Sequence, residues 1–250
     1  MELNATKLIN AVGADMRECQ SAVVRYVAAC LLAMLPYRLT MYSLNAWERA
    51  ETYPVLSSTI RLGMAIYLAV AASAVMAVFF AELGVRVDRP IWKCAGPREA
   101  LRRFFIPWLI INLATITLVD IQARLLVAEK RDAGAAIEML ILIVHLGAVP
   151  IGACIMHWGA LVWSDIGSAL KPMARRMPLA LLPCAIAFLQ YALMNLRALF
   201  LIEYDVTTFM TLLITDIPLL LMDLVIFIMT WRLCMHYRNM PDEEVDPFEL

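Results

Sequence analysis

The chain has 250 residues, of which 62% are hydrophobic and only 17% charged, and its mean hydropathy is +0.74. Soluble domains carry about 45–50% apolar and about 25% charged residues, so a water-exposed globule of this size has no way to bury so much apolar surface. The net charge of −1 carries no signal by itself, and with no basic, aromatic-interleaved domain there is no footprint for nucleic acid.

The first stretch, Met1 to Glu18, contains Lys7, Asp15 and Arg17 and lacks the continuous apolar core of a secretory signal, so targeting is expected to rest on the first membrane span. Within Ala5–Cys19, Leu8, Val12 and Met16 recur every four residues and give a helix one apolar face. Six apolar segments then follow that are long enough to cross about 30 Å of hydrocarbon at about 1.5 Å per residue. They are expected near Ser21–Ser43, Arg61–Glu82, Phe104–Leu126, Ala136–Val162, Pro178–Ile202 and Thr207–Arg232. The predicted organisation is a cytoplasmic amphipathic segment over 1–20, a six-helix transmembrane bundle over 21–233 and an acidic tail over 234–250. The fold class is all-α, a polytopic membrane protein with short interfacial helices.

Basic residues in the connections set the orientation. Arg86, Arg89, Lys93, Arg98, Arg102 and Arg103 surround the connection between spans two and three, and Lys171, Arg175 and Arg176 follow span four. An even number of crossings puts Lys7, Arg17 and Arg238 on that same side, which the positive-inside rule assigns to the cytoplasm. The opposite side holds Arg49, Arg61, Arg124, Lys130 and Arg131, offset by Glu48, Glu51, Glu129 and Asp132. Trp108, Trp163 and Trp231 fall near the expected cytoplasmic ends, as indole rings prefer the interface.

Two kinds of residue stand out inside the spans. Small side chains at Ala65, Ala69, Ser73, Ala77 and Ala81 form a helix-packing face on the second span, where a neighbouring backbone can approach closely. Gly147, Ala148, Gly152 and Gly159 make the fourth span a candidate partner, another subunit being the alternative. Polar groups at depth are the second kind, because hydrocarbon penalises them by several kcal/mol unless they are paired. His145, Gln190 and Asp216 count to near the midplane, with Asp223 two turns beyond Asp216 and Pro218 between, and these define an expected intramembrane polar node in which Asp216 meets His145. Arg38, Asp120, Arg124 and Arg197 fall near the opposite ends and are expected either to anchor at the interface or to contact an anion or lipid there, with Asp120 and Arg124 at i,i+4 spacing.

Short basic or amphipathic stretches precede the first, third and fifth spans, at Ala5–Cys19, Pro97–Phe105 and Asp165–Met177, each leading into a two-span hairpin. Val149-Pro150-Ile151 lies in the fourth span, and Gly167-Ser168-Ala169-Leu170-Lys171 precedes the fifth. This plan resembles the YciC-like bacterial inner-membrane proteins, and the membrane domains associated with glycerophosphodiester phosphodiesterases are similar. The resemblance implies a non-enzymatic protein of the bacterial inner membrane and carries no catalytic residue.

No serine-hydrolase elbow, zincin or Walker motif occurs, and the six cysteines show neither CxxC nor paired spacing, so no metal site and no cofactor are expected. The leading expectation is a non-enzymatic accessory or scaffold subunit, or a membrane-homeostasis protein. Its partners would be the bilayer and other membrane subunits or a second copy of itself. A transporter or permease subunit using the last helix is the alternative, and an intramembrane enzyme the third.

Overall fold

The computed structural model describes residues 3–46, 53–87, 96–127, 131–159, 171, 177–200 and 206–238. Among these, all regular structure is helical. The long elements are α1 (Ala5–Glu18), α2 (Gln20–Ala46), α3 (Pro54–Val87), α4 (Pro97–Val127), α5 (Arg131–Trp158), α6 (Met177–Phe200) and α7 (Val206–Arg238). The six helices α2 to α7 are each long and apolar enough to cross a membrane. The chain is a multi-pass, all-α membrane protein.

Several helices outrun the apolar segments that announce them. α3 begins before Arg61 and continues past Glu82, because Arg61 points outward and Glu82 is paired one turn on with Arg86 at 2.7 Å. A charge that is solvated or paired need not end a helix. Pro97–Phe105, expected as a separate interfacial stretch, is instead the beginning of α4, with Pro97 in the first turn, where its missing N–H costs nothing. α5 stops before the expected Val162, since Gly159 adopts a left-handed φ of 62° and its N–H returns to the Met156 carbonyl at 3.2 Å. Nearly all of Asp165–Met177, along with Trp163 and residues 239–250, lies outside the described residues, while 234–238, expected in the tail, continue α7.

Helix α1 is capped by Asn4, whose side chain accepts the Lys7 N–H at 2.9 Å. Its apolar face, Leu8 and Val12, is buried mainly against α7, and a turn at Cys19 leads directly into α2. Consecutive helices then pack antiparallel, and α7 closes the bundle by touching α1, α2, α3, α5 and α6. With six crossings, the start of α2 and the end of α7 share one end of the bundle, called the terminal end below.

An aromatic core fills that terminal end. Phe80 stacks on Tyr26 and on Phe227, with centroids 5.3 and 4.3 Å away, and meets Trp108 edge-on at 5.3 Å. Two glycines make room for the indoles. A Cβ on Gly84 would lie 2.6 Å from the Trp231 ring, and one on Gly152 would collide with Trp108. Gly152 therefore serves α4, and the small-residue face of α3 also packs chiefly on α4, not on the expected α5. Ala69, Ser73, Ala77 and Ala81 are buried there, Ala65 only partly. The Asn112 amide of α4 donates to the Ser73 hydroxyl at 2.9 Å across this seam, and Ser73 returns its own proton to the Ala69 carbonyl at 2.5 Å.

The outward faces carry large apolar side chains, among them Leu62, Ile66, Ile143, Leu181 and Phe188. Such a surface has no stable contact with water and matches lipid.

Candidate functional site

Among the described residues, the most deeply enclosed charges gather at the end of the bundle opposite the termini. Asp216 lies in the first third of α7 with its side chain 3% exposed. Arg38 of α2 donates from Nη2 to both of its oxygens, at 3.0 and 2.8 Å. Arg197 of α6 donates from Nη1 to Oδ1 at 2.5 Å and reaches the Thr215 hydroxyl at 3.3 Å. The two arginine side chains are only 16% and 17% exposed. One carboxylate thus ties three helices, and two guanidinium groups share it.

Local chemistry explains how α7 presents this group. Thr215 folds its hydroxyl back onto the Thr211 carbonyl at 2.7 Å, which uses its own proton internally and leaves the oxygen as acceptor for Arg197. Pro218, two residues after Asp216, has no N–H and so releases the carbonyl one turn before it, permitting a bend close to the carboxylate. α2 carries Pro36 two residues before Arg38, and α6 carries Pro183.

Deeper along α7, Asp223 has a different partner. The Gln190 amide of α6 donates to Asp223 Oδ1 at 2.7 Å and to the Leu219 carbonyl at 2.8 Å. His145, expected beside Asp216, instead meets the Tyr191 ring at 5.5 Å and sits beside Gln190 and the Ala187 backbone of α6. The expected node therefore divides: Asp216 goes with Arg38 and Arg197, while Gln190 joins Asp223 and lies beside His145. Arg38 and Arg197, expected at the surface, turn inward to Asp216, while the side chains of Asp120 and Arg124 lie outside the described residues.

Two further ion-pair groups hold the terminal end. Arg232 of α7 grips Asp15 of α1 with Nε at 2.7 Å and Nη2 at 2.5 Å, a two-pronged pair 217 residues apart in sequence. Arg25 of α2 and Arg86 of α3 both bond Oε1 of Glu82, and Arg86 also reaches the Ser21 hydroxyl at 3.3 Å. Sequence reasoning singled out neither group. The four-residue spacing of Glu82 and Arg86 was the available signal for one, whereas Asp15–Arg232 has no local signature.

Cys154 and Cys234 are both buried, with sulfurs 3.5 Å apart in a thiol–thiol contact that their sequence positions do not reveal. Among the described residues no three His, Cys, Asp or Glu side chains converge as a metal-ligand set. Comparison with protein-family models, with curated proteins and with solved structures finds no match.

Proposed function

We propose that the protein is a non-enzymatic accessory or scaffold component of a bacterial inner membrane, with both ends of the bundle's chain on the cytoplasmic side. One observation carries this reading. The enclosed charged and amide side chains named above tie helices together: Arg38 and Arg197 on Asp216, Gln190 on Asp223, Asn112 on Ser73. Ties of this kind fix the register of a bundle whose outer surface is apolar. The basic residues flanking Pro97 support the orientation under the positive-inside rule. Of the three units behind the resemblance to YciC-like proteins, the first supplies its support, since α1 is a separate helix ahead of the α2–α3 hairpin.

A transporter reading draws on α7, where Asp216, Pro218 and Asp223 are grouped on one helix. Reconstitution separates the two. The scaffold reading expects proteoliposomes of the purified chain to show no proton or cation flux above protein-free vesicles. It also expects native purification in mild detergent to return the same stoichiometric membrane partner, or a defined homo-oligomer, in independent preparations. A flux that Asp223→Asn or Asp216→Asn abolishes, in protein that stays folded, overturns it in favour of transport.

A further inference from the structure

At the terminal end, α2, α3 and the start of α4 enclose a groove of about 340 Å³ whose lining includes Arg25, Glu82, Val85, Arg86, Pro97 and Ala100. Arg25 and Arg86 also line a second, shallower hollow beside it with Ser21 and Val24, so the two guanidinium groups stand between two depressions. We propose that this groove binds an anionic phospholipid, with the phosphate against Arg25 and Arg86 and an acyl chain along the apolar wall below.

Charge is the first argument. Among the described residues, two arginines share the single carboxylate Glu82, an excess of one positive charge. Unlike Arg38 and Arg197, these side chains are open, 54% exposed at Arg25 and 35% at Arg86. The Nη1 group of Arg25 and the Nε of Arg86 have no hydrogen-bond partner among the described residues, so each arginine keeps one donor nitrogen available to a phosphate oxygen.

The first turn of α4 is the second argument. Gly96, at φ 134°, offers no capping side chain, and the helix behind it opens with Pro97 and Arg98. The positive end of the α4 dipole therefore faces the same groove. Arg98 and Arg102 are exposed nearby on α4, and the counter-charge of Glu99 is taken by Arg103 at 2.5 Å.

Depth and wall chemistry name the ligand. The groove lies where three spans end, Arg25 being about one and a half turns into α2, which is headgroup level for a membrane-crossing helix. Toward the bilayer interior the lining turns apolar at Val78, and Val24, 60% exposed, adds apolar surface to the neighbouring hollow. A soluble anion would use the arginines alone, whereas a phospholipid also uses these walls. Basic pockets between spans are a recurrent way to hold anionic headgroups.

The test is native mass spectrometry of the full chain in mild detergent, titrated with phosphatidylglycerol and with phosphatidylcholine of matched acyl chains. The proposal expects preferential retention of phosphatidylglycerol and a loss of about fivefold in affinity for each of Arg25→Gln and Arg86→Gln. Glu82→Gln is the second variant: it removes the competing carboxylate and is expected to increase retention, although an ion-pair role alone gives no gain. Equal retention of the two lipids, unchanged retention in folded Arg25→Gln, or no gain in Glu82→Gln overturns the proposal. So does displacement of phosphatidylglycerol by inorganic phosphate at equal concentration, which would assign the site to a soluble anion.

Discussion

The two ends of the bundle are held by different physics. At the terminal end, Phe80, Tyr26, Trp108, Phe227 and Trp231 interlock, and Gly84 and Gly152 are the recesses that accept the indoles. At the opposite end, among the described residues, Leu39, Met139, Met210 and Ile214 face outward, and α2, α6 and α7 converge on Asp216. Within lipid, apolar burial gives little preference for one packing over another, because the solvent is itself apolar. Shape dominates the first end, with more exposed ion pairs around it, and an enclosed charge cluster ties the second. The two should therefore fail in different ways.

The largest expected effect is at Asp216. Asp216→Asn leaves Arg38 and Arg197 enclosed without their shared counter-charge, and removing one partner of a buried pair costs about 3–5 kcal/mol. Reversible unfolding in mixed micelles measures it. The triple replacement Arg38→Leu, Asp216→Leu, Arg197→Leu sharpens the comparison, since a purely structural charge cluster tolerates apolar residues of similar volume. Stability should then recover most of the loss; failure to recover would mean that the charges do more than tie helices.

Overpacking the aromatic end comes next. Gly84→Ala puts a methyl group within 2.6 Å of the Trp231 ring, a bulky buried neighbour that cannot step aside, and costs about 1–3 kcal/mol. Trp fluorescence should report a displaced indole. The Arg38–Asp216 pair should be unaffected, so the cost of Gly84→Ala and that of Asp216→Asn should add in the double variant.

Six crossings and the all-α class were legible in the sequence because length and hydropathy report directly on lipid. Pairing was not legible, and Asp216 shows why. Counting from the expected span Thr207–Arg232 puts Asp216 near the middle, with His145, but α7 continues to Arg238. The longer helix shifts Asp216 toward the end where Arg38 and Arg197 already lie. The three residues had been expected in two separate groups, and only the helix boundary divided them. Gln190 and Asp223 kept their depth and were expected in one node, since both lie far from any end. The partner of the α3 small-residue face was hidden for another reason: Gly152 on α5 reads as a flat surface for α3 but is filled by Trp108 from α4.

A smaller effect is expected at Gln190. Gln190→Leu removes the amide that spans Asp223 and the Leu219 carbonyl. Interhelical hydrogen bonds in membranes average about 0.6 kcal/mol and reach about 1.7, and the burial of Gln190, with a half-buried carboxyl as its partner, puts this one toward the upper value. A loss beyond that range in the same unfolding assay would mean that Asp223 organises more of the bundle than the α6–α7 contact.

The Asp15–Arg232 pair gives the smallest expected change and the most local one. Arg232 is 31% exposed and Asp15 7%, so part of the pair's attraction is screened by solvent. Asp15→Asn should cost no more than about 1 kcal/mol, and that loss should fall on one element. α1 meets the rest of the bundle through α7 and a few α2 contacts, with Leu8 and Val12 as its apolar anchors. Losing the ion pair should therefore raise amide hydrogen exchange across Ala5–Glu18 while leaving the segments around Phe80, Trp108 and Phe227 protected. Raising salt on the unaltered protein should act in the same direction more weakly, because screening reaches the exposed arginine first. If exchange instead rises throughout the terminal end, α1 is a structural part of the aromatic core, and charge shares with shape the work of holding that end as well.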